Sequence, residues 1–169
     1  MSTTNTYKNG ISIGRVSIVR PPHNILSTRY NTLSKLNCIL ASIEANELNY
    51  DEGIMNDPYG NISTCNSTNL FFIKNNSVWT SRGEYCLNGI TRSKAIYLCE
   101  KNDINCYQKD FTFDEIKDCD EAFVTGTFAG IIPVSSLENI NLSSINSNSL
   151  TNHIRNLYNH HIHENINRS

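Results

Sequence analysis

Residues 52–80 read Glu52-Gly-Ile-Met-Asn-Asp-Pro-Tyr-Gly-Asn-Ile-Ser-Thr-Cys-Asn-Ser-Thr-Asn-Leu-Phe-Phe-Ile-Lys-Asn-Asn-Ser-Val-Trp-Thr80, and this run decides the architecture. Short apolar and β-branched bursts at Glu52 to Asn56, Ile62 to Cys65, Asn69 to Lys74 and Val78 to Thr80 have the composition of strands. Asp57-Pro58-Tyr59-Gly60 and Asn75-Asn76 supply turn chemistry between them, which predicts an antiparallel meander. Upstream, Ile11 to Arg20 alternate apolar with polar side chains, the pattern of a half-buried strand, and Pro21-Pro22 end it. Downstream, Cys106 to Phe111, Glu121 to Thr125 and Ile131 to Val134 read as further strands, with Gly126 and Gly130 bracketing a tight loop.

Helical spacing is interleaved with these strands. Leu36, Ile39, Leu40 and Ile43 recur on one stripe, so a helix is expected from Ser34, which can cap it, to about Leu48. A second helix is expected from Thr91 to about Lys101, entered at Gly89, with Ala95, Ile96 and Cys99 facing inward. Thr112-Phe-Asp-Glu115 has the form of a capping box. Residues 139–149 are polar and read as a mobile stretch, after which Leu150, Ile154, Leu157 and Tyr158 mark a last helix from Ser149 to about Ile162. Strands and helices mixed in one unit give an α+β (mixed α/β) class, a twisted and partly closed sheet flanked by helices.

At 169 residues the chain has the size of a single domain over 1–169, enough to bury roughly 70% of its unfolded surface. Fourteen basic against sixteen acidic residues leave a net charge of -2, which gives no electrostatic footprint for nucleic acid or an anionic membrane. No apolar stretch approaches the ~20 residues of a membrane helix, and the start has no apolar export segment, so a soluble, cytoplasmic protein is expected. The six cysteines form no C-x-x-C pair, against a zinc or disulfide framework. His160-His161-Ile162-His163-Glu164 reads as a solvated helix end, because adjacent side chains on a helix point apart; no metal site is expected.

Four strings, in order and spacing, carry a resemblance: Ser34-Lys35-Leu36-Asn37; Gly60-Asn-Ile-Ser-Thr-Cys-Asn-Ser-Thr-Asn-Leu-Phe71; Cys86-Leu-Asn-Gly-Ile-Thr-Arg92; and Phe123-Val-Thr-Gly-Thr-Phe-Ala-Gly-Ile-Ile-Pro-Val134. From about Ile11 to Tyr158 the sequence resembles the class IV aminotransferases, the pyridoxal-phosphate enzymes of fold type IV. The resemblance implies a pyridoxal phosphate cofactor, an amino acid and a 2-oxo acid as substrates, and a homodimer. Gly89-Ile90-Thr91 before a helix is physically an anion seat, with free N–H groups and the positive helix end. In the family the pair matching Ile90 and Thr91 holds the cofactor phosphate, and the residue matching Leu87 packs beneath the ring. Thr127 and Phe128 match a second phosphate contact, where small neighbours let the backbone approach.

The resemblance also implies a lysine that bonds the cofactor, an amine whose charge must be suppressed by desolvation or nearby cations if it is to attack. Lys35 is the residue favoured for it. Counting back without gaps from Glu44-Ala45 places Asn31 at the family's lysine position instead, with Lys35 one helical turn later. Thr64 stands where the family has a glutamate against the ring nitrogen, and it can hydrogen-bond but carries no charge. Cys38 stands where the family has a tyrosine. The resemblance also implies an amino-terminal domain that supplies an arginine and much of the substrate pocket; the sequence is read as starting at the junction after it, so a longer polypeptide, a partner or a loss of catalysis is expected. The leading expectation is therefore transamination; a pyridoxal-phosphate lyase of the aminodeoxychorismate type and a non-catalytic remnant are the alternatives.

Overall fold

The computed structural model describes residues 8–166; residues 1–5, read above for the lack of an export signal, lie outside them. In chain order come β1 (Ile11–Arg15), α1 (Leu36–Glu47), β2 (Glu52–Asn56), β3 (Ile62–Cys65), β4 (Asn69–Lys74), β5 (Ser77–Thr80), α2 (Ile90–Lys101), β6 (Cys106–Gln108), α3 (Phe113–Ile116), β7 (Glu121–Gly126), β8 (Gly130–Leu137), β9 (Ile140–Asn141) and α4 (Leu150–Ile166). The strands join in one mixed sheet ordered β3-β2-β1-β8-β7-β4-β5-β6, with β9 beside β8. β1 lies between β2 and β8 and runs parallel to both, Ile13 standing opposite Glu52 on one side and Leu137 on the other.

Successive side chains of β4 go to opposite faces, as the pleat requires. Phe71 and Ile73 meet Val78, Phe123, Ile131, Ala95, Ile96, Cys99 and Ile154, so this face is covered by α2 and α4. Leu70 and Phe72 meet Ile11, Ile13, Ile54, Ile62, Phe111, Val124, Val134 and Leu137 on the other face, where the sheet curls over itself. The curl brings β3 near the far end, and the Ile62 N–H donates to the Phe111 carbonyl at 2.8 Å. The result is a half-barrel with helices on its outer side. Phe71 and Phe123 are fully buried and stack at 4.6 Å between centroids. Each such ring contributes about 1.5–3 kcal/mol by burial, and the stacking about 0.5–1.5 kcal/mol more.

Five expectations need correction. The meander is in fact two hairpins, β2–β3 and β4–β5, because β4 pairs with β7 and not with β3. A tight turn redirects the chain: the Cys65 N–H and the Thr64 hydroxyl both donate to the Thr68 carbonyl, at 3.0 and 2.7 Å. The first strand stops at Arg15, since the next polar residue, Ser17, gives its N–H and hydroxyl to the Glu44 carboxylate at 2.7 and 2.9 Å. The strand expected over 106–111 ends at Gln108.

The fourth correction concerns α1. Ser34 does not cap it; the helix starts at Leu36 with Lys35 at the boundary and no side-chain cap. Its buried residues are Ala41 and Ala45, whereas Leu36, Ile39, Leu40 and Ile43 are exposed, Leu36 at 66%. The helix therefore lies on the sheet by its small side, where a Cβ added to Gly53 would meet Val16 and the Ala41 carbonyl. Other expectations match the structure. The Thr112–Glu115 capping box forms, and Ala95, Ile96 and Cys99 are buried on α2. The stretch 139–149, read as mobile, instead carries β9 and a 3-10 turn at Ser143–Ile145, with Leu142, Ser144 and Ser149 buried.

Candidate active site

A cavity of about 460 Å³ opens where four pieces of chain converge. They are the irregular strap between Arg20 and Ser34, the first turns of α1, the β3–β4 turn from Thr64 to Asn69, and the β7–β8 turn at Thr127 and Phe128, with Leu87 completing the wall. The strap is tied down at several points: the Thr28 hydroxyl donates to the Glu84 carbonyl, and the His23 ring stacks on Tyr85 at 4.6 Å. The β7–β8 turn is tight enough to need Gly130 at φ +62°, the left-handed region.

Of the residues singled out in the sequence, Lys35, Thr64, Leu87, Thr127 and Phe128 share this wall, and so do Asn31 and Cys38. Lys35 and Asn31 are both exposed. Thr64 is 6% exposed, and its hydroxyl hydrogen is committed to the Thr68 carbonyl. Leu87 is held by Asn69, whose Nδ2 donates to the Leu87 carbonyl at 2.8 Å. Ile90 and Thr91 stand outside the wall: Ile90 projects from the start of α2 and Thr91 is buried among the helix contacts. The N–H groups of this first turn precede the first intrahelical bond, from Ser93 to the Gly89 carbonyl at 2.9 Å.

Two residues were missed by the sequence reading. Asn69 looked like a strand opener, and only the fold brings its amide to Leu87. Arg20 looked like the end of a strand, yet it lines the cavity, its Nε donating to the Tyr85 carbonyl at 3.1 Å and its Nη1 to the Cys38 Sγ at 2.9 Å. Arg20 and Lys35 are the cations of the wall, and no carboxylate belongs to it. Glu52 stands just behind, half-buried, with its oxygens accepting from the Ser67 and Thr68 hydroxyls at 2.6 and 2.7 Å. Burial pushes its carboxyl above the ordinary range, although those hydroxyls pull it back, and burial raises the neighbouring Cys65 thiol well above its usual value. The wall thus offers an amine, a guanidinium, several hydroxyls and the exposed apolar side chains of Ile39, Leu87 and Phe128.

Known proteins share this frame. The model of the amino-transferase class IV family matches residues 2–137. A branched-chain-amino-acid aminotransferase of Pseudomonas aeruginosa is 34% identical over 132 residues, 78% of this chain and 43% of its own length. A D-alanine aminotransferase of Bacillus licheniformis is 36% identical over 57% of this chain and 34% of its own. Among solved structures, the branched-chain aminotransferase of Thermoproteus uzoniensis with norvaline has a TM-score of 0.83 at 27% identity, covering 90% of this chain and 51% of that one. An aminotransferase from Brucella abortus, solved with the cofactor PLP, shares the fold at a TM-score of 0.85 and 22% identity, over 91% of this chain and 55% of its own. The chain spans less than half the length of these two curated relatives. With the family model covering most of its residues and the half-barrel matching in detail, the chain belongs to the class IV aminotransferase family.

Proposed function

We propose that this chain is the cofactor-bearing part of a pyridoxal-phosphate-dependent transaminase, which moves an amino group between an amino acid and a 2-oxo acid. One observation carries the reading: in a chain of this family, the cavity sets a lysine amine, hydroxyl donors and apolar side chains on a wall without any carboxylate. That donor set fits the cofactor, which brings a dianionic phosphate, an aldehyde and a flat ring. The volume lies inside the range of about 300–1,000 Å³ usual for small-molecule sites. When bound, the cofactor supplies an aldehyde to carry the amino group and a ring to take up the electron pair left on the substrate carbon.

In this reading Lys35 Nζ would hold the cofactor and, as a free amine, would take and return the proton of the substrate's α-carbon. Leu87 and Phe128 would offer apolar contact to the ring. The Thr127 hydroxyl would bind phosphate, and Ile90 and Thr91, which stand outside the cavity wall, would contribute only if the N–H groups at the start of α2, three residues on from Leu87, reach that phosphate. Thr64 faces the ring nitrogen. Because its hydrogen is already given to Thr68, it could only accept there, and it would offer the nitrogen an uncharged acceptor.

We assign a homodimer as the working form, supported by the outward apolar face of α1. Among the described residues no helix is long and apolar enough to cross a membrane, and all six cysteines are free thiols, which suits the cytoplasm. The test is covalent trapping: the chain is mixed with pyridoxal phosphate, reduced with borohydride and mapped by peptide mass. The label is expected on Lys35. Absence of label from every lysine overturns the reading, and a label elsewhere removes Lys35 from its role.

A further inference from the structure

Two of the six thiols are brought together by the turn that ends α2. The Ile104 N–H donates back to the Cys99 carbonyl at 2.9 Å, and Asp103 takes the left-handed φ of +56° that the reversal requires. β6 then opens at Cys106, which stands opposite Val78 of β5. Cys106 thereby packs on the apolar cluster that contains Cys99, Val78 and Ala95, and the Cys99 thiol donates to its sulfur. No C-x-x-C spacing announces this pair; the turn makes it. Cys99 is fully buried, whereas Cys106 is half-buried and keeps part of its surface in solvent.

A buried cation stands beside the pair. Arg92 of α2 is 3% exposed, and among the described residues no carboxylate pairs with it. Its Nη1 donates to the Asn88 Oδ1, its Nη2 to the Ser81 carbonyl and the Gln108 Oε1, and its Nε has no partner. Gln108 and Cys106 share one face of β6, because side chains alternate along a strand. A thiolate on Cys106 would therefore supply the counter-charge that this guanidinium lacks, and a buried charge without one is unfavourable. The hydrogen bond from Cys99, helped by Arg92, pulls the Cys106 thiol below its usual value against burial and the Glu100 carboxylate. The same hydrogen bond and burial push Cys99 up. One sulfur is thus prepared as a nucleophile while its neighbour keeps a proton, the arrangement of an attacking and a resolving cysteine.

We propose that Cys106 and Cys99 form a peroxide-sensitive dithiol, a modification site between α2 and the edge strand β6. The Cys106 thiolate attacks one oxygen of hydrogen peroxide, the O–O bond breaks, and hydroxide leaves a sulfenic acid on Cys106. The Cys99 sulfur then attacks the Cys106 sulfur; the S–S bond forms, the S–O bond breaks, and the oxygen leaves as water with the Cys99 proton. Two thiols are oxidised by two electrons and the peroxide is reduced. The new bond ties the end of α2 to β6. Neither cysteine lines the cavity, so the site does not depend on what the cavity binds.

The test uses the unaltered, reduced chain. It is exposed to a small excess of hydrogen peroxide, the remaining thiols are blocked with N-ethylmaleimide, and tryptic peptides are weighed. A disulfide between peptides 95–101 and 102–109 is expected, cleaved again by dithiothreitol, with the buried Cys65, Cys86 and Cys119 still reduced. Cys99→Ala should slow oxidation of Cys106 by about tenfold, the scale of one hydrogen bond to a charged group, and leave a sulfenic acid that dimedone traps. Cys106→Ser should leave Cys99 unoxidised. Recovery of both cysteines as maleimide adducts after peroxide overturns the proposal, and so does oxidation of Cys106 past the sulfenic acid without the linked peptides. Oxidation of Cys99 in Cys106→Ser at the rate of the unaltered chain overturns it as well. Should circular dichroism show either variant misfolded, the linked peptides of the unaltered chain decide alone.

Discussion

Thr64 has one hydrogen to give and gives it to Thr68, so the cavity wall beside it is polar without being charged. Thr64→Glu would place a carboxylate opposite two cations and against the ring nitrogen. The expected outcome is tighter binding of pyridoxal phosphate, by about tenfold if one charge-assisted hydrogen bond is gained, read by absorbance titration. Unchanged affinity and spectra would mean that Thr64 does not face the ring. Glu52, one layer behind, predicts a pH effect. Burial makes its folded carboxyl hold a proton more firmly than an ordinary glutamate does. The folded chain then binds more protons than the unfolded one, so this contribution to stability is present below the unfolded value and is lost as pH rises through the folded value. Glu52→Gln should flatten the fall in stability as pH rises above the ordinary glutamate range, measured by urea midpoints at a series of pH values.

At the scale of elements, α4 is held to the sheet by a side chain of β7. Glu121 is 8% exposed, and its oxygens accept from the N–H groups of Leu150 and Thr151 at 2.9 and 2.7 Å, at the positive end of the helix. Glu121→Gln keeps the size but loses the charge and one acceptor. A loss of about 1–2 kcal/mol is expected, seen as a lower urea midpoint without a change in slope. The elements also show what could be read in advance. The strands at Glu52–Asn56 and Asn69–Lys74 were legible because turn residues frame β-branched and aromatic runs. Helix α1 was legible as a helix but its buried side was not: periodicity finds an apolar stripe without saying which body covers it, and here two alanines meet the sheet. The pairing of β4 with β7 was hidden for another reason, that strand neighbours far apart in sequence leave no local trace. The same holds for the cavity. Lys35, Thr64, Leu87, Thr127 and Phe128 came from motifs, while Arg20 and Asn69 owe their roles to what the fold sets beside them.

For the molecule as a whole, the outward stripe of α1 at Leu36, Ile39, Leu40 and Ile43 continues to Leu33 and Leu48, all of them exposed. Such a surface on a folded chain is a contact waiting for a second body. The chain should therefore self-associate as its concentration rises, and Leu36→Glu with Ile43→Glu should give a monomer of unchanged circular dichroism. Sedimentation velocity checks this, and a chain that stays monomeric at high concentration would remove the stripe as a self-contact. The central seat of β1 has a different consequence, one of timing. Ile11 pairs with Val134 and Ile13 with Leu137, so one neighbour of this strand is made only after the residues through Leu137 have been synthesised. Until then β1 waits with an open flank as it leaves the ribosome, at risk of pairing with a stranger.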